Sequence, residues 1–165
     1  MKTHSFHLCL TSLAFLFVTE RLAADWPQFR GPDGQGHSAE KGIPIHWREG
    51  ENITWKTAVP GQGYSSPVIA GNQIWMTSSE DEGKSLRAVC IDMTSGELLH
   101  NVEVLTPEEA GPHHRLNGYA SPTPVLDGKH AFVHFGPRGT ACLDIAGKVI
   151  WKNTEFKYNA FQGAA

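Results

Sequence analysis

The chain has 165 residues, a formal net charge of −3, 19% charged and 40% hydrophobic residues. That length suits one ordinary domain, and the charge balance offers neither a basic stripe for nucleic acid nor a polybasic patch for a membrane surface. Three cysteines are too few for a disulfide-stapled scaffold.

Taken in chain order, the first 24 residues read as a secretory signal peptide. Met1-Lys2 opens a weakly basic region, residues 8–18 form an apolar run, and Leu22-Ala23-Ala24 supplies small residues for cleavage. The run is shorter than the about 20 apolar residues of a membrane span; Leu22 is not the small residue preferred three places before the cut, and an uncleaved anchor is the rival reading. Export to a periplasmic or extracellular compartment follows, with no transmembrane segment after cleavage. Loss of Lys2, Arg21 and Glu20 makes the remainder one unit more negative.

Residues 25–51 form an extended arm. Two prolines and three glycines between Asp25 and Gly36 forbid a helix interior or a central strand, and Trp26 and Phe29 are the expected anchors. Asp33-Gly34-Gln35-Gly36 lacks the alternating carboxylates of a calcium loop and reads as a turn. Residues 52–59 alternate apolar and polar and are rich in β-branched types, which predicts a strand carrying Trp55.

The remainder contains one segment twice. Tyr64-Ser65-Ser66-Pro67 opens the first copy and Tyr119-Ala120-Ser121-Pro122 the second; Cys90-Ile91-Asp92 recurs as Cys142-Leu143-Asp144, and His100 as Trp151. Gly71 and Gly128 are 57 residues apart, Cys90 and Cys142 52. A period near 50 in a strand-rich chain points to a radial β array with one supersecondary unit per repeat. Each copy predicts four strands: 66–69, 73–78, 85–92 and 97–105, then 124–126, 130–135, 140–144 and 148–154. The units span about 64–105 and 119–154, and a third begins near 161. One repeat cannot bury its apolar faces alone and about three are needed, so a fragment of low intrinsic stability is expected, completed by further C-terminal blades.

The recurring residues have physical roles. Asp92 and Asp144 can cap a turn, Gly96 and Gly147 can take the positive φ it needs, and Trp55, His100 and Trp151 place a flat ring on each outermost strand. Such rings would dock one sheet on the next, stacking being worth about 0.5–1.5 kcal/mol. Cys90 and Cys142 fill the same slot of successive repeats and read as buried free thiols.

These runs resemble the tryptophan-docking motif of pyrroloquinoline quinone (PQQ)-like propeller repeats. Cys-Ile-Asp-x-x-x-Gly-x-x-x-His and Cys-Leu-Asp-x-x-Gly-Lys-x-x-Trp match Ala-x-Asp-x-x-Thr-Gly-Lys-x-x-Trp, with Cys for Ala in both copies, His100 for Trp, and a turn one residue shorter in the second. The opening 25–34, Tyr64–Pro67 and 117–124 are similar to exported planctomycete-type members of that group. The resemblance covers residue 25 to the end and implies an all-β, seven- or eight-bladed propeller, with residues 52–165 holding two complete four-stranded blades. The Trp55 strand would be the clasp that closes the ring, removing its exposed edge.

What the resemblance implies about function is a non-catalytic binding or assembly scaffold for protein or polysaccharide, similar to the barrel-assembly propeller lipoprotein of the outer membrane. The alternative is the N-terminal part of a quinoprotein oxidoreductase using PQQ and calcium. Its vicinal Cys-Cys pair is absent from this sequence. No catalytic or metal residue is assigned. His113, His114 and Asn117, on the loop between repeats, form the most site-like cluster and are expected to face a ligand. His130 and His134 are too far apart on one strand to share a metal, and Ser65, Ser66 and Ser121 lack the Gly-x-Ser-x-Gly setting of a hydrolase.

Overall fold

The computed structural model describes residues 25–156 and 158–160; the expected signal peptide and the start of a third unit lie outside these residues. Eight strands form two four-stranded antiparallel sheets: β1 (Val68–Ala70), β2 (Gln73–Glu80), β3 (Ser85–Asp92) and β4 (Leu98–Leu105), then β5 (Val125–Leu126), β6 (His130–His134), β7 (Thr140–Asp144) and β8 (Val149–Asn153). Among the described residues there is no α-helix, only 3-10 turns at Asp81–Gly83 and Gly136–Arg138, in the same β2–β3 and β6–β7 positions. The protein is all-β.

Strand ends follow local chemistry. The first strand starts two residues later than expected because Pro67 has no N–H to give, while Ser66 N–H donates to Thr123 Oγ1 at 3.1 Å. Strand β2 continues to Glu80 because Ser79 has a neighbour on each side: it faces Leu86 in the ladder and exchanges its N–H and C=O bonds with Gln62. Phe135 leaves β6 to start the 3-10 turn.

One expectation is corrected. Residues 52–59 belong to no strand, and Asn52 sits at φ +59°. Alternation records which side chains face inward; a strand also needs a hydrogen-bonded backbone partner, and this segment joins neither sheet. It is held by side chains: Trp55 Nε1–H donates to Met93 O at 2.9 Å and Thr57 Oγ1–H donates to Gly96 O.

Register lines up the repeat. Val68, Trp75, Cys90 and His100 sit in one cross-strand row of the first sheet, and Val125, Phe132, Cys142 and Trp151 in the corresponding row of the second. The ladders slip at equivalent points, Cys90/Ile91 and Cys142/Leu143, bulges that raise the local twist. The sheets stack face to face, β1 against β5 and β4 against β8. A single apolar cluster joins them: Val68, Trp75, Leu86, Ala88 and Cys90 from one face, Leu126, Ala131, Val133, Ala141 and Leu143 from the other. The second sheet's Val125–Phe132–Trp151 row therefore lies on its far face, with Val125 and Trp151 exposed.

The arm is pinned as expected at Trp26, but Phe29 is 58% exposed and anchors nothing; its ring carries the Arg30 guanidinium at 5.4 Å instead. Trp26 exchanges both backbone bonds with Ile69 at 2.9 Å, and Pro27 O accepts from Leu126 N–H at 2.8 Å. Two successive arm residues thus tie the inner strands of both sheets together.

Candidate functional site

At one end of the sheets lie the β3–β4 and β7–β8 turns. Asp92 Oδ1 accepts from Thr94 N–H, Ser95 N–H and Ser95 Oγ–H at 2.8–3.0 Å, and Oδ2 from Asn72 Nδ2 at 2.6 Å. The Ser95 N–H bond foremost holds its carboxyl below the usual aspartate range. Asp144 Oδ1 accepts from Ala146 N–H at 3.0 Å and Lys148 N–H at 2.8 Å. Each turn closes on a glycine at positive φ, +74° for Gly96 and +81° for Gly147.

Both glycines lie beneath rings. A Cβ on Gly96 would stand 2.5 Å from the Trp55 indole, and one on Gly147 2.8 Å from the His100 imidazole. The polar contacts repeat as well: Trp55 Nε1 reaches Met93 O at 2.9 Å, and His100 Nε2 reaches Ile145 O, one residue after the turn aspartate, at 3.3 Å. The same two-part contact is therefore made twice, one repeat apart. Trp151, the third ring, is 43% exposed and leans on Phe132 at 6.3 Å. Restoring the large ring by His100→Trp is expected to raise the unfolding free energy by about 0.5–1.5 kcal/mol; an unchanged urea midpoint would show that imidazole already fills the seat.

The third turn at this end, after β5, pairs Asp127 Oδ2 with His130 Nδ1 at 2.9 Å, and Asp127 Oδ1 accepts from Lys129 and His130 N–H. The His130 side chain is the chief reason that the Asp127 carboxyl falls to about 2. A depressed carboxyl supports the turn above the unfolded-state pKa of about 3.9 and loses that support as pH falls through its folded value. Carboxyl-carbon NMR of Asp127 is expected to titrate near pH 2; a midpoint near 4 would remove the pair.

At the opposite end lies the connection between sheets. His113, His114 and Asn117 share this loop but do not converge. His113 Nδ1–H donates to His114 O at 2.9 Å and its ring meets Tyr119 edge-on at 4.5 Å, whereas His114 Nδ1 accepts from Leu116 N–H at 3.3 Å. Asn117 Oδ1 accepts from Gly118 N–H at 2.9 Å and from Ser121 Oγ–H. The three residues build turns. Nor do the strand histidines meet: His130 is paired with Asp127, while His134 binds Thr140 Oγ1 and Tyr158 Oη, each at 2.8 Å. Burial lowers the His134 pKa.

Among the described residues no group of three or more His, Cys, Asp or Glu side chains is placed to hold a metal. Asp92, Asp127 and Asp144 are engaged by their own turns, so these residues do not fit a calcium ion. Cys90 and Cys142 are buried and unbridged, and burial pushes the Cys90 thiol up to about 12. Both are expected to resist iodoacetamide at pH 8 until the chain unfolds, since the thiolate is the nucleophile; rapid native-state alkylation would contradict their burial.

Arg138 is the residue that sequence reading missed. Its Gly136-Pro137-Arg138-Gly139 setting signals a turn, and nothing local announces a buried charge. It is 8% exposed, with its guanidinium over the Tyr119 ring at 4.8 Å. Nε–H donates to Ala110 O at 2.5 Å and Nη2–H to Pro112 O at 3.4 Å, tethering the inter-sheet connection. Beside it opens a cavity of about 710 Å³ between that connection, Lys152 of β8, Thr154 and Tyr158–Ala160.

No protein-family model matches the chain, and neither does any curated protein.

Proposed function

We propose that the two sheets are neighbouring blades of a PQQ-like β-propeller, and that the protein is an exported, non-catalytic scaffold that binds or assembles protein or polysaccharide partners. The observation that carries this reading is the docking contact made twice, Trp55 on the Gly96 turn and His100 on the Gly147 turn. A contact that advances by one sheet per repeat generates a stack, and twisted sheets stacked with like edges together splay into a ring. The order β1 on β5 and β4 on β8 supports this, as does the arm joining both inner edges. In the ring, like sheets would cover the Trp151 face.

The scaffold reading is supported by how the recurring side chains are spent: Asp92, Asp144, Gly96, Gly147, Trp55 and His100 are each engaged in a turn or a docking contact, and Trp151 is exposed. Incubating the protein with PQQ and Ca²⁺ is expected to give neither binding nor dye reduction. Tight PQQ binding with dye reduction would replace this reading by the quinoprotein oxidoreductase. The architecture has its own test: a crystal structure in which β1–β5 and β4–β8 are equally spaced, without splay, would overturn the ring.

A further inference from the structure

We infer that the cavity beside Arg138 is a binding site for a sugar acid of mono- or disaccharide size, its carboxylate held by Arg138 with Lys152 as the second cation. Arg138 is the one buried charged side chain among the described residues, and it makes no ion pair among them. Its Nη1 is buried without a hydrogen-bond partner. Buried charges are ordinarily paired and buried donors ordinarily satisfied, so an orphan guanidinium nitrogen on a side chain that lines a cavity marks the place of a missing acceptor. A carboxylate is the acceptor that the planar guanidinium fits best.

The rest of the lining narrows the ligand. Lys152 adds positive charge, Thr154, Tyr158 and Asn159 offer hydroxyl and amide groups, and Glu108 and Glu109 offer acceptors. Cations for a carboxylate together with acidic and neutral acceptors for hydroxyls suit a polyhydroxylated monoacid better than a dianion or an apolar acid. A volume of about 710 Å³ is within the usual range of small-molecule sites. Residues 107–112, which cover the guanidinium, belong to no strand, so this wall can yield as the carboxylate reaches Nη1. The site goes beyond the scaffold reading and does not depend on a ring.

The test is calorimetric titration of the full chain with D-glucuronate, and with D-glucose as the uncharged counterpart. Glucuronate is expected to bind at least tenfold more tightly than glucose. Arg138→Met is expected to weaken glucuronate at least tenfold, and the exposed Lys152→Met severalfold with an unaltered thermal melt, which separates ligand loss from misfolding. Equal affinity for the two sugars, no glucuronate binding, or binding indifferent to Lys152→Met would overturn the proposal. So would glucuronate binding that appears only in Glu108→Gln/Glu109→Gln, because the chain's own carboxylates would then be the partners of Arg138.

Discussion

Trp75→Ala is expected to cost about 3–5 kcal/mol of unfolding free energy, the range for emptying a large aromatic site in a core. Trp75 is 1% exposed and stands between Val68 and Cys90 in its row. Its indole packs in the cluster shared by both sheets, 5.7 Å from the His100 ring, and Nε1–H donates to Gln73 Oε1 at 3.0 Å. Truncation removes apolar contacts from both sheets at once and leaves Gln73 without that donor. A loss of this size is a large share of the about 5–15 kcal/mol typical of a folded domain. Trp75→Phe is expected to cost less, because Phe132 fills the corresponding position of the second sheet. Urea unfolding monitored by circular dichroism reads both, provided the slope stays constant. A Trp75→Ala loss below about 1 kcal/mol would mean that the inter-sheet core is not packed around this ring.

Gly96→Val is the second large effect, about 2–5 kcal/mol, and it has two separable parts. An L side chain at φ +74° costs about 1–2 kcal/mol. Overpacking against the Trp55 indole, 2.5 Å from where the Cβ would stand, adds about 1–3 kcal/mol. The parts are told apart by repeating the substitution in Trp55→Ala. With the ring gone the steric part vanishes and the backbone part stays, so the two changes are expected to be non-additive by at least about 1 kcal/mol. Strict additivity would show that the Trp55 ring does not rest on Gly96, and with it would fall the contact that carries the propeller reading.

The positions of these residues were legible to different degrees. The repeat made the strands of each copy legible, whereas the register that sets Trp75 opposite Cys90 and Phe132 opposite Cys142 is set by the ladders themselves. The turns were equally legible, since an aspartate followed by a glycine is a local solution to a local problem. The partners of the loop histidines were not, since they are set by the loop's path: His113 and His114 bind backbone groups of their own loop.

What the sequence by itself determined is the all-β class, the eight strands in two groups of four, and the aspartate–glycine turns. All of these rest on patterns within a few residues of one another. Tertiary structure alone decided three things. Residues 52–59 form no ladder, since pairing needs a neighbour that no local pattern supplies. Pro27 reaches Leu126, 99 positions along the chain, and ties β5 to the arm already on β1. Arg138 is buried under the inter-sheet connection, 28 residues from its carbonyl partner at Ala110. A turn arginine is solvated in almost every other setting, and only the packing of that loop over it makes a cavity with an unanswered charge.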